Sequence, residues 1–263
     1  MVTVTKIISW NLNSIKQRQN HLIKLIQKES PDIICLQEIK CETESVDVDI
    51  WQQYGYSVAA WGQKSFNGVA ITAKAPLANI SYSFTEDPKP DQARVISAET
   101  MVAGLPTTVI SLYLPNGGEV GSDKFDYKLE FFDKFTNYIN SLRQQHINVI
   151  IAGDYNVAPD AIDVYAPEQL DGTTCYHPQE RARLQRLFNS GLFDLWRLKH
   201  PGITEFSWWD YRGASLQQEK GLRIDHILSN AKLADQLTDA AILDSYRKLD
   251  KPSDHAPVMV VFN

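Results

Sequence analysis

Apolar residues in this chain fall into short runs that predict buried β-strands. Each run is bounded by Pro, Gly, Asn or Ser, and several are rich in β-branched residues, as is typical of strands. In chain order the runs are TKIISW, DIICLQE, GYSVAAW, NGVAITA, ARVISAET, TTVISLYL and NVIIAGD, followed in the last third by FSWW, LRIDHIL and PVMVVF.

Three segments carry apolar residues at helical spacing instead. The first begins at Ser14, where Ser-Ile-Lys-Gln fits a capping box. The clearest helix covers residues 124–144, with apolar side chains at three- and four-residue intervals, and a third helix covers residues 178–190. Strand-rich segments on both sides of these helices predict a two-sheet sandwich with helices outside. No linker marks a boundary, so we expect a single domain over residues 1–263.

Composition narrows the class of protein. The chain has 263 residues, of which 43% are hydrophobic and 22% charged, and these ordinary globular values exclude a disordered, collagen-like or coiled-coil protein. No apolar run approaches ~18 residues, and the segment MVTVTKIISW lacks the basic and apolar regions of an export signal.

Three cysteines without a CxxC spacing predict reduced thiols, with Cys35 buried, and no zinc site. We therefore expect a cytoplasmic protein without a membrane partner.

The net charge of −6 argues against a protein that coats DNA through bulk positive charge. It is compatible with an enzyme whose acidic, metal-binding floor has a local basic rim, because whole-chain charge says little about one face.

Polar residues recur where the predicted strands end, which is where layered sheets assemble their sites. They are Asn11 with Asn13, Glu38, Tyr113 with Asn116, Asp154 with Asn156, Asp225, and Asp254 with His255. Taken singly, each is more typical of a turn or a solvated strand end than of a site. Recurrence at six strand ends favours a site, and residues two apart on a strand face the same way.

This set of side chains suits phosphodiester hydrolysis. That reaction needs an activated water, neutralised phosphoryl oxygens and a protonated leaving oxygen. Carboxylates such as Glu38 are the usual ligands of Mg²⁺. A histidine oriented by an aspartate stabilises negative charge, and a tyrosine such as Tyr113 donates a hydrogen bond to phosphate.

Eight motifs in order give the chain a resemblance to a known family. They are SWNLNSIKQR, CLQEIK, NGVAI, LYLPNG, GDYNVAP, FSWWDYR, GLRIDHIL and SDHAPV, and they span Ser9 to Val258. The chain resembles the exonuclease III family of apurinic/apyrimidinic (AP) endonucleases, in the endonuclease/exonuclease/phosphatase superfamily. The resemblance implies an α/β fold, a four-layer sandwich in which two mixed β-sheets pack face to face with helices outside.

The same resemblance implies an activity in base excision repair. It implies Mg²⁺-dependent hydrolysis, with Mn²⁺ as a substitute, of the phosphodiester 5′ to abasic sites in duplex DNA. It also implies 3′–5′ exonuclease activity and trimming of blocked 3′ ends, by a monomer.

Matching motif positions imply roles for particular residues. The implied metal-binding residues are Glu38, with Asn11 and Asp254 near the metal or linked to it through water. The implied catalytic residues are Asp154, nearest the attacking water or the leaving oxygen, Asn156, which positions that group, Asp225, which orients His255, and His255 and Tyr113 on the phosphate. The implied DNA-binding residues are Arg94, Asn116 and the sugar-pocket residues Trp208, Leu222 and Ile224.

Three positions depart from the family pattern. Asn13 stands where some members have an acid, and Glu119 stands where some carry an arginine that enters the duplex. Leu222 stands where the family usually has tryptophan, which predicts a wider pocket.

The sequence offers alternative roles for four basic residues, and a structural role for one histidine. Arg212, Arg223, Lys124 and Lys128 can line a DNA groove, although the two lysines fit the solvent-exposed face of the long helix slightly better. His226 neighbours Asp225 but faces the other way, so we interpret it as structural.

Two other functions remain alternatives. The same fold can act on a phospholipid or an inositol phosphate, but FSWWDYR followed by RID favours DNA. A non-catalytic DNA-binding module is disfavoured, because binding alone does not require Glu38, Asp154, Asn156, Asp225 and His255 together.

Overall fold

A computed structural model describes residues 4–145 and 147–263, so residues 1–3 of the segment tested for an export signal lie outside the described part. The strands of this part form two six-stranded sheets and one two-stranded ribbon. They are β1 (Thr5–Asn11), β2 (Ile33–Gln37), β3 (Ser57–Trp61), β4 (Val69–Ala73), β5 (Ala78–Tyr82), β6 (Val95–Val102), β7 (Leu105–Tyr113), β8 (Asn148–Asp154), β9 (Leu192–Asp194), β10 (Trp208–Trp209), β11 (Gly221–Leu222), β12 (Asp225–Asn230), β13 (Leu237–Ile242) and β14 (Val258–Phe262).

The helices lie between these strands. They are α1 (Ile15–Glu29), α2 (Val48–Gln53), α3 (Asp123–Gln144), α4 (Pro167–Leu170), α5 (Pro178–Asn189), α6 (Leu195–Lys199) and α7 (Ala231–Ala234), with short 3₁₀ turns at Thr43–Ser45, Ala161–Asp163, Arg212–Ala214 and Asp244–Lys248. Within residues 4–145 and 147–263, every helix is too short or too polar to cross a lipid bilayer.

Each large sheet is mixed and contains a parallel pair. The first sheet has the order β13-β14-β1-β2-β4-β3 with β1 and β2 parallel, and the second has the order β5-β6-β7-β8-β12-β9 with β7 and β8 parallel. Helix α1 connects the first pair and α3 the second. Because parallel neighbours end at the same edge, each pair brings two strand ends side by side.

Three apolar cores separate four layers. Ile7, Cys35 and Ile227 belong to the core between the sheets, Trp10 and Leu25 to the core under α1. A third core contains three of the four phenylalanines of α3, namely Phe131, Phe132 and Phe135. The predicted α/β sandwich with helices outside is therefore confirmed, and Cys35 is buried as expected.

The predicted strands and long helices are present, with shifts of a few residues at their ends. The sequence pattern missed β5, β9 and β13 and the short helices α2, α6 and α7. All five residues of β5 are exposed at the edge of its sheet, so no apolar run marks it. Strand β9 has three residues, too few to show a period.

The capping box predicted at Ser14 is wrong, although α1 does begin at the next residue. Ser14 has φ of 98° and its side chain makes no capping hydrogen bond. Instead, the backbone N–H groups of Ser14 and Ile15 donate to the carbonyl oxygens of Glu38 and Ile39, at 2.8 and 3.1 Å. A tertiary contact with the segment after β2 thus replaces the local cap.

Two of the four basic residues considered for a DNA groove, Lys128 and Arg223, are buried. Lys128 is fully buried against Glu180, so the predicted position in a DNA groove and the predicted solvent-exposed position are both wrong. Arg223 is also buried, paired with Asp163 and Asp194. Their acidic partners come from distant segments, which a helical pattern cannot reveal.

The segment 158–177, between β8 and α5, contains a 3₁₀ turn and α4. Asp163 anchors it by accepting hydrogen bonds from Arg223 Nε and Arg197 Nη2, each at 2.6 Å. The backbone N–H of Arg223 also donates to the Asp163 carbonyl oxygen, at 2.8 Å. This segment is therefore fixed against the strand that leads into β12.

We expect Asp163→Ala to lower the free energy of unfolding by about 3–5 kcal/mol, because it leaves a buried guanidinium short of a partner. Urea unfolding followed by circular dichroism measures this. The matched control is Asp171→Ala, which removes an exposed ion pair with Arg181 and should cost no more than about 1 kcal/mol. Equal losses in the two variants contradict the anchoring role of Asp163.

Candidate active site

An open cleft of about 560 Å³ lies where the strands of the parallel pairs end. Most of the predicted site residues line it, including Glu38 after β2, Tyr113 at the end of β7 and Asp154 at the end of β8. Sequence reasoning did not anticipate some other lining residues, namely Tyr165, Leu170, Thr174, Cys175, Asp210, Ser215 and Lys220.

Asn11 joins two carboxylates at the floor of this cleft. Its side-chain amide donates to Glu38 Oε1 at 2.9 Å and to Asp154 Oδ2 at 3.0 Å. Its amide oxygen accepts the backbone N–H of Asn13 at 3.0 Å. Asn11 is fully buried, so the structure places it behind the carboxylates, where it orients them.

Glu38 also pairs with a lysine that sequence reasoning missed. Lys40 Nζ lies 2.6 Å from Glu38 Oε2 and donates to Asn13 Oδ1, also at 2.6 Å. The only sequence signal for Lys40 is its place two residues after Glu38 in LQEIK.

Asp154 is a buried carboxylate with several donors around it. Besides Asn11, the backbone N–H and the side-chain amide of Asn156 donate to it, at 2.8 and 3.3 Å. Burial raises the pKa of Asp154 to about 7; His255 opposes this rise, whereas Asp225 and Glu38 add to it. At neutral pH this carboxyl group can therefore both hold and release a proton.

His255 lies between two aspartates. Its Nδ1 is 2.9 Å from Asp225 Oδ2 and its Nε2 is 3.8 Å from Asp154 Oδ2. Ser207, which sequence reasoning did not single out within FSWW, donates to Asp225 Oδ2 at 2.6 Å. Burial alone lowers the pKa of His255, but the charges of Asp225 and Asp154 outweigh it and raise the pKa to about 10. The imidazole is thus cationic at neutral pH.

Glu38, Asp154 and His255 each offer a ligand atom, and these atoms lie within 4.8 Å of one another. A protonated imidazole does not coordinate a cation, so Glu38 and Asp154 are the oxygen donors of this group. Burial, with Asp225 and Glu38 adding to its effect, raises the pKa of Asp154, and a divalent cation beside Glu38 would offset part of the negative charge at this floor. Hard oxygen donors of this kind fit Mg²⁺.

Asp254, predicted beside the metal, has both carboxylate oxygens engaged. Asn13 donates to one at 2.9 Å and Trp208 Nε1 to the other at 3.0 Å. Burial opposes ionisation, but His255 and these two donors outweigh it and hold the pKa of Asp254 below its usual value. Asp254 therefore contributes negative charge to the cleft at neutral pH.

Tyr113 presents a neutral phenol to the same floor. Burial, together with the charges of Glu38 and Asp154, raises the pKa of Tyr113 well above its usual value, so its hydroxyl remains a donor. Arg94 stacks on the tyrosine, with its guanidinium carbon 5.0 Å from the ring centroid, and donates to Gln92 Oε1 at 2.6 Å. Arg94 does not line the cleft itself, so its predicted contact with DNA remains a prediction.

One wall of the cleft is aromatic and aliphatic. In the β10–β11 ribbon Trp208 pairs with Leu222, and both line the cleft together with Ile224. Trp208 is half-buried and Trp209 is buried in the core, because neighbouring residues of a strand face opposite ways. Leu222 and Ile224 are mostly buried and expose only an edge to the cleft.

The structure also places His226, Arg212 and Lys124, the other polar residues considered from the sequence. His226 is buried, with Nε2 2.9 Å from the Val157 carbonyl oxygen, as a structural role requires. Arg212 lies at the mouth of the cleft and pairs with Asp210. Lys124 is exposed on α3, as predicted.

Comparisons with known proteins agree with this architecture. The profile of the Endonuclease/Exonuclease/phosphatase family matches residues 8–255. The chain belongs to this family. It is 36% identical to exodeoxyribonuclease III of Haemophilus influenzae, over 98% of this chain and 99% of that protein.

Solved structures of the family are similar over the whole length of the chain. The 3′ phosphatase NExo from Neisseria, bound to a product DNA hairpin, has 36% sequence identity and a TM-score of 0.94, covering 98% of this chain and 99% of that chain. An AP endonuclease from Archaeoglobus fulgidus has 32% identity and a TM-score of 0.92, with the same coverage. These relatives place the chain in the exonuclease III group of the family.

The charge pair at the floor predicts a pH dependence. The pKa of His255, about 10 in the fold, exceeds its ordinary value of 6.5. The pair with Asp225 therefore stabilises the fold fully below about pH 6.5, and this contribution is lost as the pH rises toward 10. In metal-free protein we expect imidazole ¹⁵N shifts of His255 to report the protonated ring at pH 8, and Asp225→Asn to lower its pKa. An unchanged pKa in Asp225→Asn contradicts the assignment of Asp225 as the dominant charge.

Proposed function

We propose that this chain is a DNA-repair nuclease that hydrolyses the phosphodiester 5′ to abasic sites in duplex DNA and degrades or trims 3′ ends. The observation that carries the proposal is the convergence of Glu38, Asp154 and His255 within 4.8 Å at the floor of an open cleft. Two carboxylates beside an imidazolium suit a reaction in which a phosphoryl group gains negative charge. Relatives named exodeoxyribonuclease III and AP endonuclease support the choice of DNA.

Asp154 and His255 have different roles in the proposed hydrolysis. With a pKa of about 7, Asp154 can exchange a proton at neutral pH, as is needed to activate the attacking water or to protonate the leaving oxygen. His255, kept cationic by Asp225, stabilises the charge on the phosphoryl oxygens. The phenol of Tyr113 donates to the phosphate, and the amide of Asn156 positions the reacting oxygen beside Asp154.

Mg²⁺, for which Mn²⁺ can substitute, is the metal that this floor suits. Glu38 would hold it, with Asn11 behind that carboxylate and Asp254 adding negative charge to the cleft. When bound, the metal neutralises the charge on the phosphoryl group and the leaving oxygen. The ion pair with Lys40 neutralises part of the negative charge of Glu38.

The cleft wall selects the substrate in this proposal. A flipped abasic sugar is small and largely apolar, and Trp208, Leu222 and Ile224 offer it a matching surface. Asn116 contacts the DNA, and Arg94 contacts a flanking phosphate. Duplex DNA with an abasic site or a blocked 3′ end is therefore the partner, and the chain acts as a monomer in which residues 1–263 form a single domain.

The proposal is tested on two duplexes, one with a tetrahydrofuran abasic site and one with a recessed, matched 3′ end. We expect a single incision 5′ to the abasic site on the first and stepwise shortening on the second, both resolved on a denaturing gel. Release of phosphate from an inositol polyphosphate without DNA cleavage contradicts the proposal and favours the alternative substrate class.

Metal removal tests the acidic floor. We expect EDTA to abolish cleavage and Mg²⁺ or Mn²⁺ to restore it, because the donors are hard oxygens. Glu38→Gln should raise the Mg²⁺ concentration needed for half-maximal rate, whereas the exposed control Glu44→Gln should not. Full activity in EDTA, or restoration by Zn²⁺ alone, excludes this metal assignment.

The leucine in the cleft wall predicts substrate preference. Leu222 stands where the resemblance implies a tryptophan, and its smaller side chain should allow damaged or 3′-terminal nucleotides to be tolerated. We expect Leu222→Trp to raise the ratio of abasic cleavage to exonuclease rate, measured on the two duplexes above. The control Leu198→Trp, at an exposed leucine, should leave the ratio unchanged. An unaltered ratio in Leu222→Trp rules out this role for the wall.

A further inference from the structure

A buried ion pair next to the cleft has no part in the chemistry above. The side chains of Lys128 on α3 and Glu180 on α5 are both fully buried and in direct contact. Removing two charges from water is costly, so a pair of this kind persists only where further hydrogen bonds satisfy both groups. Those hydrogen bonds show what the pair holds in place.

The lysine holds two loops by their backbone. Its ammonium group donates to the carbonyl oxygen of Asn116 at 3.0 Å and to that of Asn156 at 2.7 Å. With Glu180 as the third acceptor, all three donors of the ammonium are used. The other oxygen of Glu180 accepts the backbone N–H of His177 at 3.0 Å, which closes the first turn of α5.

The two loops carry side chains that lead to Asp154. The amide of Asn116 donates to Asn156 Oδ1 at 3.0 Å, and the amide of Asn156 reaches Asp154 Oδ2 at 3.3 Å. Asn156 has φ of 51°, a left-handed conformation that a non-glycine residue keeps only where its surroundings impose it. A Cβ atom at Gly117, whose φ is 95°, would lie 2.9 Å from Lys128 Cδ, so the first loop packs directly on the lysine stem.

We propose that Lys128 and Glu180 are positioning residues, whose buried ion pair fixes the backbone at Asn116 and Asn156 and thereby aligns Asn156 with Asp154 for phosphodiester cleavage. The inference rests on the proposed function. Neither side chain of the pair reaches the cleft, so neither touches the substrate. Loss of the pair therefore lowers kcat and leaves KM nearly unchanged.

The test removes both charges together. In the double variant Lys128→Met with Glu180→Gln, the side-chain volumes are similar and the amide oxygen can still accept the His177 N–H, so we expect the chain to fold. We expect kcat to fall at least ~10-fold and KM to change by less than about threefold, because a misplacement of about 1 Å near the chemistry is sufficient. The matched control is Ile139→Ala, a cavity in the same helix, which lowers stability but leaves kcat within about twofold.

A double-mutant cycle with Asn156→Ala tests the route of the effect. In that background the two charge-removing changes should lower kcat by less than about twofold, since the group that they position is gone. Full kcat in the double variant overturns the inference, and so do losses that simply multiply in the cycle.

Hydrogen–deuterium exchange gives a readout that is independent of activity. Peptides covering residues 115–118 and 154–157 should exchange faster in the double variant and not in Ile139→Ala. If the unmodified protein cleaves neither duplex, the proposed function fails, and exchange alone then decides whether the pair fixes these loops. Unchanged exchange in both peptides overturns the inference.

Discussion

The site depends on one arrangement of buried charge: two aspartates on either side of His255. Asp225, held by Ser207, keeps the imidazole protonated from one side, and Asp154 lies 3.8 Å from its other nitrogen. Burial strengthens these interactions by removing water. Burial raises the pKa of Asp154 to about 7, whereas the charges of Asp225 and Asp154 outweigh burial at His255 and raise its pKa to about 10. One group therefore exchanges protons at neutral pH while the other remains a cation.

The fold supplies this arrangement through strand pairing. Asp154 ends β8 and lies opposite both Tyr113 on β7 and Asp225 on β12 in the second sheet. The first sheet contributes Asn11 and, directly after β2, Glu38. The face-to-face packing of the two sheets thus brings the two sets together, because the ends of both parallel pairs meet at one edge of the sandwich.

Strand ends explain how much of the site the sequence could predict. Apolar runs locate β1, β2, β7 and β8, and the polar residues just after such runs are the ones that the fold gathers in the cleft. The order of eight motifs added the family, which the comparisons confirmed. The local sequence pattern was sufficient for these residues because each lies at, or one or two residues after, the end of an apolar run.

Buried polar partners explain what the sequence could not predict. Lys128 looks like a solvent-facing helix residue until Glu180, 52 residues further on, is placed against it. Arg223 depends in the same way on Asp163, 60 residues earlier. Ser14 has the residue type of a cap, but contacts with the segment after β2 fix its backbone instead. The environment of each of these residues is determined by tertiary contacts between distant segments, and the local sequence pattern of one segment does not indicate which other segment it contacts.

The most direct test of this account measures single-turnover cleavage of the abasic duplex by Asp154→Asn and His255→Ala under saturating protein. Each variant should fold normally, as shown by its circular dichroism spectrum. Each should lose at least ~10²-fold in rate, because proton transfer and charge stabilisation contribute factors of this size. The exposed control Asp235→Asn should cleave at the parental rate. Near-parental turnover in Asp154→Asn or His255→Ala would contradict the central claim that these two buried groups carry out the hydrolysis.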